Sequence, residues 1–334
     1  MKLISALILS SGLMRADSLL VLSKGDLTLS IVDPSTLKVI ARMPSGPDPH
    51  EVIASADGKT AYISNYGGGA YHTITVVDLV AQKTTGTIDL GALNGPHGLM
   101  FVGGKLWFTA EGAKVVGSYD PAAKQIDLVL GTGQNRTHMV YVTEDSKRII
   151  TSDVSSATMT IIDKAAPGGR GPGGPPPPGR GPGGPPTGNW EETHIAVGRG
   201  AEGFDVSGTQ LWAANAQDGT ISILDLAQKK VTQTLDANVN SANRLKFTPD
   251  GKLALISVLN GPDLSIFDVA TKTLKKKIPI GHGAAGIEME PGGKRAFVAC
   301  TPDSYVVVID LKTLEATGHF DAGKNPDGMA WSHR

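Results

Sequence analysis

The sequence predicts an all-β chain, a seven-bladed β-propeller with four strands per blade, and three observations carry that prediction. First, an aspartate closes an apolar, alternating run seven times, at Asp33, Asp78, Asp120, Asp163, Asp225, Asp268 and Asp310. The successive spacings are 45, 42, 43, 62, 43 and 42 residues, so all but one agree to within three residues. Second, turn signals recur at matching points of the period: Ala56-Asp57-Gly58-Lys59, Thr248-Pro249-Asp250-Gly251-Lys252 and Glu290-Pro291-Gly292-Gly293-Lys294. Asp-Gly and Gly-Gly between alternating strands are hairpin turns, because these residues accept positive φ at little cost. Third, no segment keeps a helical period long enough to anchor a helical domain. The 42 glycines fit many turns between short strands instead. A four-strand unit repeated about every forty-odd residues is a propeller blade.

Each element of the unit follows in order. A start such as Pro49-His50-Glu51-Val52 leads into a short first strand. A second strand covers 60–65, a third ends at Asp78, and a fourth covers 84–90 and ends before a glycine. The N-terminal segment supplies three strands, at 19–23, 27–33 and 37–43, and lacks an innermost one. Residues 327–332 supply one such strand and no more. Joined, the two ends complete a seventh blade by a 1+3 closure, which leaves no terminal blade with an open edge.

Domain organisation follows from composition. Lys2, the apolar stretch 3–14 and the Arg15-Ala16 step have the layout of a short signal peptide covering 1–16, with a frayed leading strand as the other reading. The apolar run is too short for a transmembrane helix, so a periplasmic or secreted location is expected for a single propeller domain over 17–334. Residues 167–187 are almost wholly Gly, Pro and Arg and account for the long fourth spacing. With little to bury, this insert is expected to be disordered, either as a tolerated loop expansion or as a docking segment for a protein or the cell envelope. A formal net charge of −1 gives no electrostatic reason to expect nucleic acid. One cysteine, Cys300, excludes an internal disulfide and any multi-cysteine metal site. The chain is expected to be a monomer.

The Asp-Gly-Lys turns, Tyr62-Ile63-Ser64-Asn65, Trp212-Ala213-Ala214-Asn215 and Val77-Asp78-Leu79 resemble the YVTN-type β-propeller repeat family over nearly all of 19–332. That resemblance implies the seven-bladed fold and export, and it is poor in information about activity. Lactonase-type propellers and gluconolactonase-like, metal-dependent hydrolases are neighbours with the same ring. Glu111, Asp153, Val258 and Cys300 depart from the family pattern, standing where its asparagine would be expected.

Candidate site residues come from aligning the blades. The start of each first strand should face the channel mouth, and that position holds His50, His97, His138, Glu202, Asn243, Ala285 and Asp327. Three histidines and a carboxylate on four successive blades form a donor set for Zn, Fe, Mn or Cu, so His50, His97, His138 and Glu202 are the candidate metal ligands. The turn after the second strand, aligned as Lys24, Asn65, Glu111, Asp153, Asn215, Val258 and Cys300, should open on the same face. It offers Glu111 and Asp153 as candidate catalytic bases. Asn65, Asn215, Asn243, Arg136, Arg244 and Asp327 are the candidate ligand-binding residues. Two functions stay open: a binding or interaction module for a small molecule or protein at the mouth, or a metal-dependent hydrolase or oxidoreductase acting there. No serine nucleophile elbow and no His-Glu-x-x-His motif is present.

Overall fold

The computed structural model describes residues 17–165 and 190–333. The expected signal peptide at 1–16 and the insert at 167–187 lie outside the described residues. Within them, 28 strands form seven four-stranded antiparallel sheets. Blades 1 to 6 run in chain order, with inner strands Pro49–Ala54, Pro96–Val102, Thr137–Val142, Ala201–Ser207, Ala242–Phe247 and Ala284–Met289. Blade 7 takes its inner strand, Pro326–Ser332, from the C-terminal segment and Ser18–Ser23, Thr28–Asp33 and Lys38–Pro44 from the N-terminal one. Leu19 pairs with Trp331, Leu20 with Ala330 and Val21 with Met329, so the 1+3 closure is as expected. No helix among the described residues is long and apolar enough to cross a membrane.

The repeated aspartates have a local cause. Asp33 Oδ1 accepts the Ser35 backbone N–H at 2.8 Å. Asp78 Oδ1 accepts those of Val80 and Ala81 at 2.9 and 2.8 Å, and Asp310 Oδ1 those of Lys312 and Thr313, both at 2.8 Å. A short carboxylate that captures N–H groups two and three residues on builds the turn into the fourth strand. Four residues after each, the chain turns through the left-handed region at Leu37, Gln82 and Leu314 (φ 58°, 53° and 56°). Asp163, which precedes the insert, has other partners among the described residues. It binds Arg148 at 2.6 Å and, across to blade 4, Lys229 at 2.7 Å.

The core lies between blades rather than inside one. Along Ser18–Ser23, Leu20 and Leu22 pack with Val52, Ile63 and Val77 of blade 1, while Leu19 and Val21 pack with Phe297, Ala299 and Val308 of blade 6. Alternation along one strand therefore serves two interfaces, which explains why these strands read as continuous apolar runs.

Every inner strand carries a bulge at its start. Pro49 pairs with Asn65, yet Val52 pairs with Ile63, so three steps on one strand oppose two on the other. The same step recurs in the other six blades. A bulge bends the strand and re-aims its side chains. Here it frees two residues per blade at the axis, and the first of each pair is the mouth position read from the sequence. The second is glycine in four blades. A Cβ on Gly286 would lie 2.1 Å from the Asp327 carbonyl oxygen, and one on Gly328 would lie 2.3 Å from that of His50. Neighbouring inner strands thus meet backbone to backbone around the axis.

Candidate metal centre at the channel mouth

Seven residues freed by the bulges surround a 410 Å³ cavity at the mouth, which His50, His97, His138, Glu202, Asn243 and Asp327 all line. The imidazoles stand in file, with ring centroids 4.7 Å apart for His50 and His97 and 3.8 Å for His97 and His138. A second ring of residues closes over them. Lys24, Tyr66, Glu111, Val154, Ala216, Leu259 and Thr301 each donate a backbone N–H to the carbonyl two residues before the mouth residue of their blade, at 2.7–3.1 Å. All seven accepting residues have positive φ: Asp48, Gly95, Arg136, Gly200, Ser241, Gly283 and Asn325. Glycine takes that shape freely, whereas Arg136 and Ser241 hold it under strain, as residues at functional sites often do.

This second ring corrects the sequence alignment. Lys24 and Glu111 belong to it, but Asn65, Asp153, Asn215, Val258 and Cys300 sit one residue earlier, in the register that blades 2 and 7 fill with Ala110 and Ser23. One residue along a strand moves a side chain to the opposite face. Asn65 therefore turns into its blade, accepting the Thr73 and Thr75 hydroxyls at 3.2 and 2.8 Å and donating to the Ser45 carbonyl at 2.9 Å. Asn215 donates to Thr220 and Ser222, both at 2.9 Å. Asp153 accepts Thr160, Thr151 and Thr158 at 2.6, 3.1 and 3.2 Å, and burial raises its carboxyl to about 6. The Cys300 thiol faces the Ile280 carbonyl at 3.4 Å and is pushed up to about 12 by burial. Neither Asn65, Asn215 nor Asp153 lines the mouth. Tyr66, which the alignment missed, is the blade-1 member of the ring. Aligning Asn65, Asp153 and Asn215 with Ala110 rather than Glu111 would have found it.

Three of the residues converge. His97, Glu111 and His138 each place a potential ligand atom within 4.8 Å of the other two, and all three are buried. The Glu111 carboxylate accepts from His138 Nδ1 and from the Tyr66 hydroxyl, and Arg136 Nε lies 3.5 Å away. His97 is fully buried, and its Nδ1 has no hydrogen-bond partner. Tyr66 packs its ring edge-on to His97 at 5.2 Å. The other two candidates have different company. His50 faces Lys24, which also reaches Asp48 at 3.0 Å and Asp327 at 3.6 Å. Glu202 Oε1 lies 3.2 Å from both Arg136 Nη2 and His138 Nε2.

The electrostatics sort the histidines. Burial, reinforced by the neighbouring His138, pushes His97 well below its ordinary value. Burial and the Lys24 ammonium hold His50 at about 3. Burial also opposes charge on His138, but Glu202 and Glu111 outweigh it and raise its pKa. In return, and against its own burial, Glu202 is held at about 2. Thus His50 and His97 favour the neutral form that metal ligation requires, while the two carboxylates favour the charged form of His138, so a cation binding there would compete with its proton. The mouth cations have carboxylate partners: Arg136 has Glu202, Lys24 has Asp48, and Arg244 pairs with Glu51 beside Asn243, whose Oδ1 it reaches at 3.2 Å.

No protein-family model matches the chain, and no curated protein matches it in sequence. Solved structures share its fold. A functionally unknown protein from Desulfotomaculum acetoxidans DSM 771 superposes with a TM-score of 0.73 at 12% identity, over 95% of this chain and 99% of that one. The dihydro-heme d1 dehydrogenase NirN, in complex with DHE, gives a TM-score of 0.65 at 15% identity, over 93% of this chain and 74% of the other. At such identities the likeness is one of fold. The chain is a seven-bladed β-propeller.

Proposed function

We propose that this protein is an exported propeller of the YVTN-repeat kind that binds one divalent transition metal at its channel mouth through His97, His138 and Glu111. The carrying observation is that these three residues, on two adjacent blades, bring potential ligand atoms within 4.8 Å of one another in a buried site. The unpartnered Nδ1 of His97 supports it, since a buried polar atom without a partner costs about 1–3 kcal/mol and a metal would remove that cost. Two imidazoles and one carboxylate suit Zn, Fe, Mn or Cu. Export rests on the N-terminal charge and apolar pattern read above. The primary role in this reading is binding. The 410 Å³ mouth cavity is lined by His97 and His138, so a metal held by these three residues would have room for a further, non-protein ligand. That space favours a second reading, a metal-dependent hydrolase or oxidoreductase acting on a small molecule.

Metal analysis and thermal melts of protein purified without a histidine tag test the proposal. One equivalent of metal, or a rise in melting temperature on adding Zn, Mn, Fe or Cu, is expected. His97→Ala and Glu111→Gln should abolish the effect, while His194→Ala on an outer strand should keep it. Protein that neither holds metal nor shifts with any of the four would overturn the reading.

A further inference from the structure

We propose that the lower half of the axial channel is a second binding site, made for a small zwitterion with an apolar body, of which an apolar α-amino acid is the simplest example. Below the mouth lies a separate 320 Å³ cavity, within the roughly 300–1,000 Å³ of small-molecule sites. The buried Arg244, ion-paired to Glu51, lines both cavities and forms the partition between them.

The lower cavity is divided by chemistry. Three residues beyond the mouth position, the seven blades contribute Ala330, Ile53, Met100 and Tyr141 on four consecutive blades, then Asp205, Lys246 and Glu288 on the remaining three. An apolar arc thus faces a charged one. Within the charged arc, Asp205 is already occupied, its two oxygens accepting the Val206 and Phe247 backbone N–H groups, both at 2.9 Å. Lys246 and Glu288 are different. Each is half-buried on the channel wall, and neither side chain makes a hydrogen bond or close ion pair with a described residue. They influence each other only at longer range.

In a narrow channel each charge keeps only part of its water and has no direct partner, so a ligand group of opposite charge would gain by pairing with it. Burial raises the Glu288 carboxyl to about 7, while the surrounding carboxylates, outweighing burial, keep Lys246 charged. A ligand carboxylate on Lys246 and a ligand ammonium on Glu288 would satisfy both groups at once. The ligand's apolar body would then lie against Ile53, Met100 and Tyr141. An anion alone would leave Glu288 unpaired, and an amine alone would leave Lys246 so. A polar body would forfeit the apolar arc.

Calorimetric titration with L-leucine, L-methionine and L-phenylalanine tests this on the unmodified protein. At least one should bind with one-to-one stoichiometry. For leucine, 4-methylpentanoate (no amine), 3-methylbutylamine (no carboxylate) and glycine (no apolar body) should each bind at least about 10-fold more weakly, the loss of one good interaction. Lys246→Met and Glu288→Gln should each lose binding while keeping metal uptake at the mouth, so this inference and the metal reading fail separately. The probe series needs no variant, so a misfolded variant leaves the test intact. No binding of any of the three amino acids at millimolar concentration would overturn the proposal. So would 4-methylpentanoate or the amine binding as well as leucine.

Discussion

Asp153 stands where blades 1 and 4 carry Asn65 and Asn215, in an equivalent pocket of threonine and serine hydroxyls. A carboxyl raised by burial from its ordinary value of 3.8 to about 6 keeps its proton in the folded state after the unfolded chain has lost it. The folded state then binds more protons between those two values, so this group's contribution falls as pH rises through that window. At about 1.4 kcal/mol per unit, the cost at neutral pH is on the order of 2–3 kcal/mol. Asp153→Asn should therefore raise the melting temperature near pH 7.5 and leave it nearly unchanged near pH 4; an equal shift at both would refute the titration account. At the mouth, Tyr66 acts through Glu111, whose carboxylate it orients. Tyr66→Phe should weaken metal binding by about 10-fold without changing stoichiometry; unchanged affinity would remove Tyr66 from the site. The histidine file was legible because all three histidines occupy one repeat position. Glu111 was named, but its partnership with His97 and His138 was not, since a shift of one residue hides which face of a strand a side chain takes.

At the scale of strands, the repeated aspartate was the clearest mark in the sequence because it has one local task, closing a turn on its own backbone. The bulge was not legible. It amounts to one extra residue in the paired stretch of the inner strand, as where 49–54 opposes 61–65, with glycine as the second freed residue in four blades. Those glycines are needed for close approach. Gly286→Ala should cost about 1–3 kcal/mol, the usual penalty of overpacking. Gly292→Ala, whose Cβ would meet no heavy atom within 4 Å, serves as the control. Equal melting temperatures for the two variants would show that the inner strands can part without loss.

For the whole molecule, the count of seven and the closure by both ends were readable because spacing alone fixes the number of blades. What the spacing could not give was the division of the axis by Glu51 and Arg244, which come from blades far apart in sequence. Deleting residues 327–334 removes the inner strand of blade 7 and uncovers Leu19 to Leu22, all fully buried. The loss should reach at least about 4–5 kcal/mol, beyond most single substitutions, and a melting temperature within a few degrees of the intact protein would exclude a closed ring as the source of stability. Excising 168–185 should leave the fold intact. The strands on either side, Thr158–Lys164 and Trp190–Ala196, pair along their whole length, from Thr158 with Ala196 to Lys164 with Trp190. Loss of cooperative unfolding in that variant would give the segment a structural role.

The pairing of Leu19 with Trp331 also sets an order of events during synthesis. The first described strand in chain order waits for the last, across some three hundred residues, and joining such distant points is slow and entropically costly. His97, Glu111 and His138 need no such wait, since they come from consecutive blades completed long before. A nascent chain stalled after blade 4 would already hold the three groups on contiguous sequence, with its first strand still exposed as an unpaired edge. Refolding followed by metal uptake and by a probe at Trp331 should then give two separate phases, the metal signal rising first.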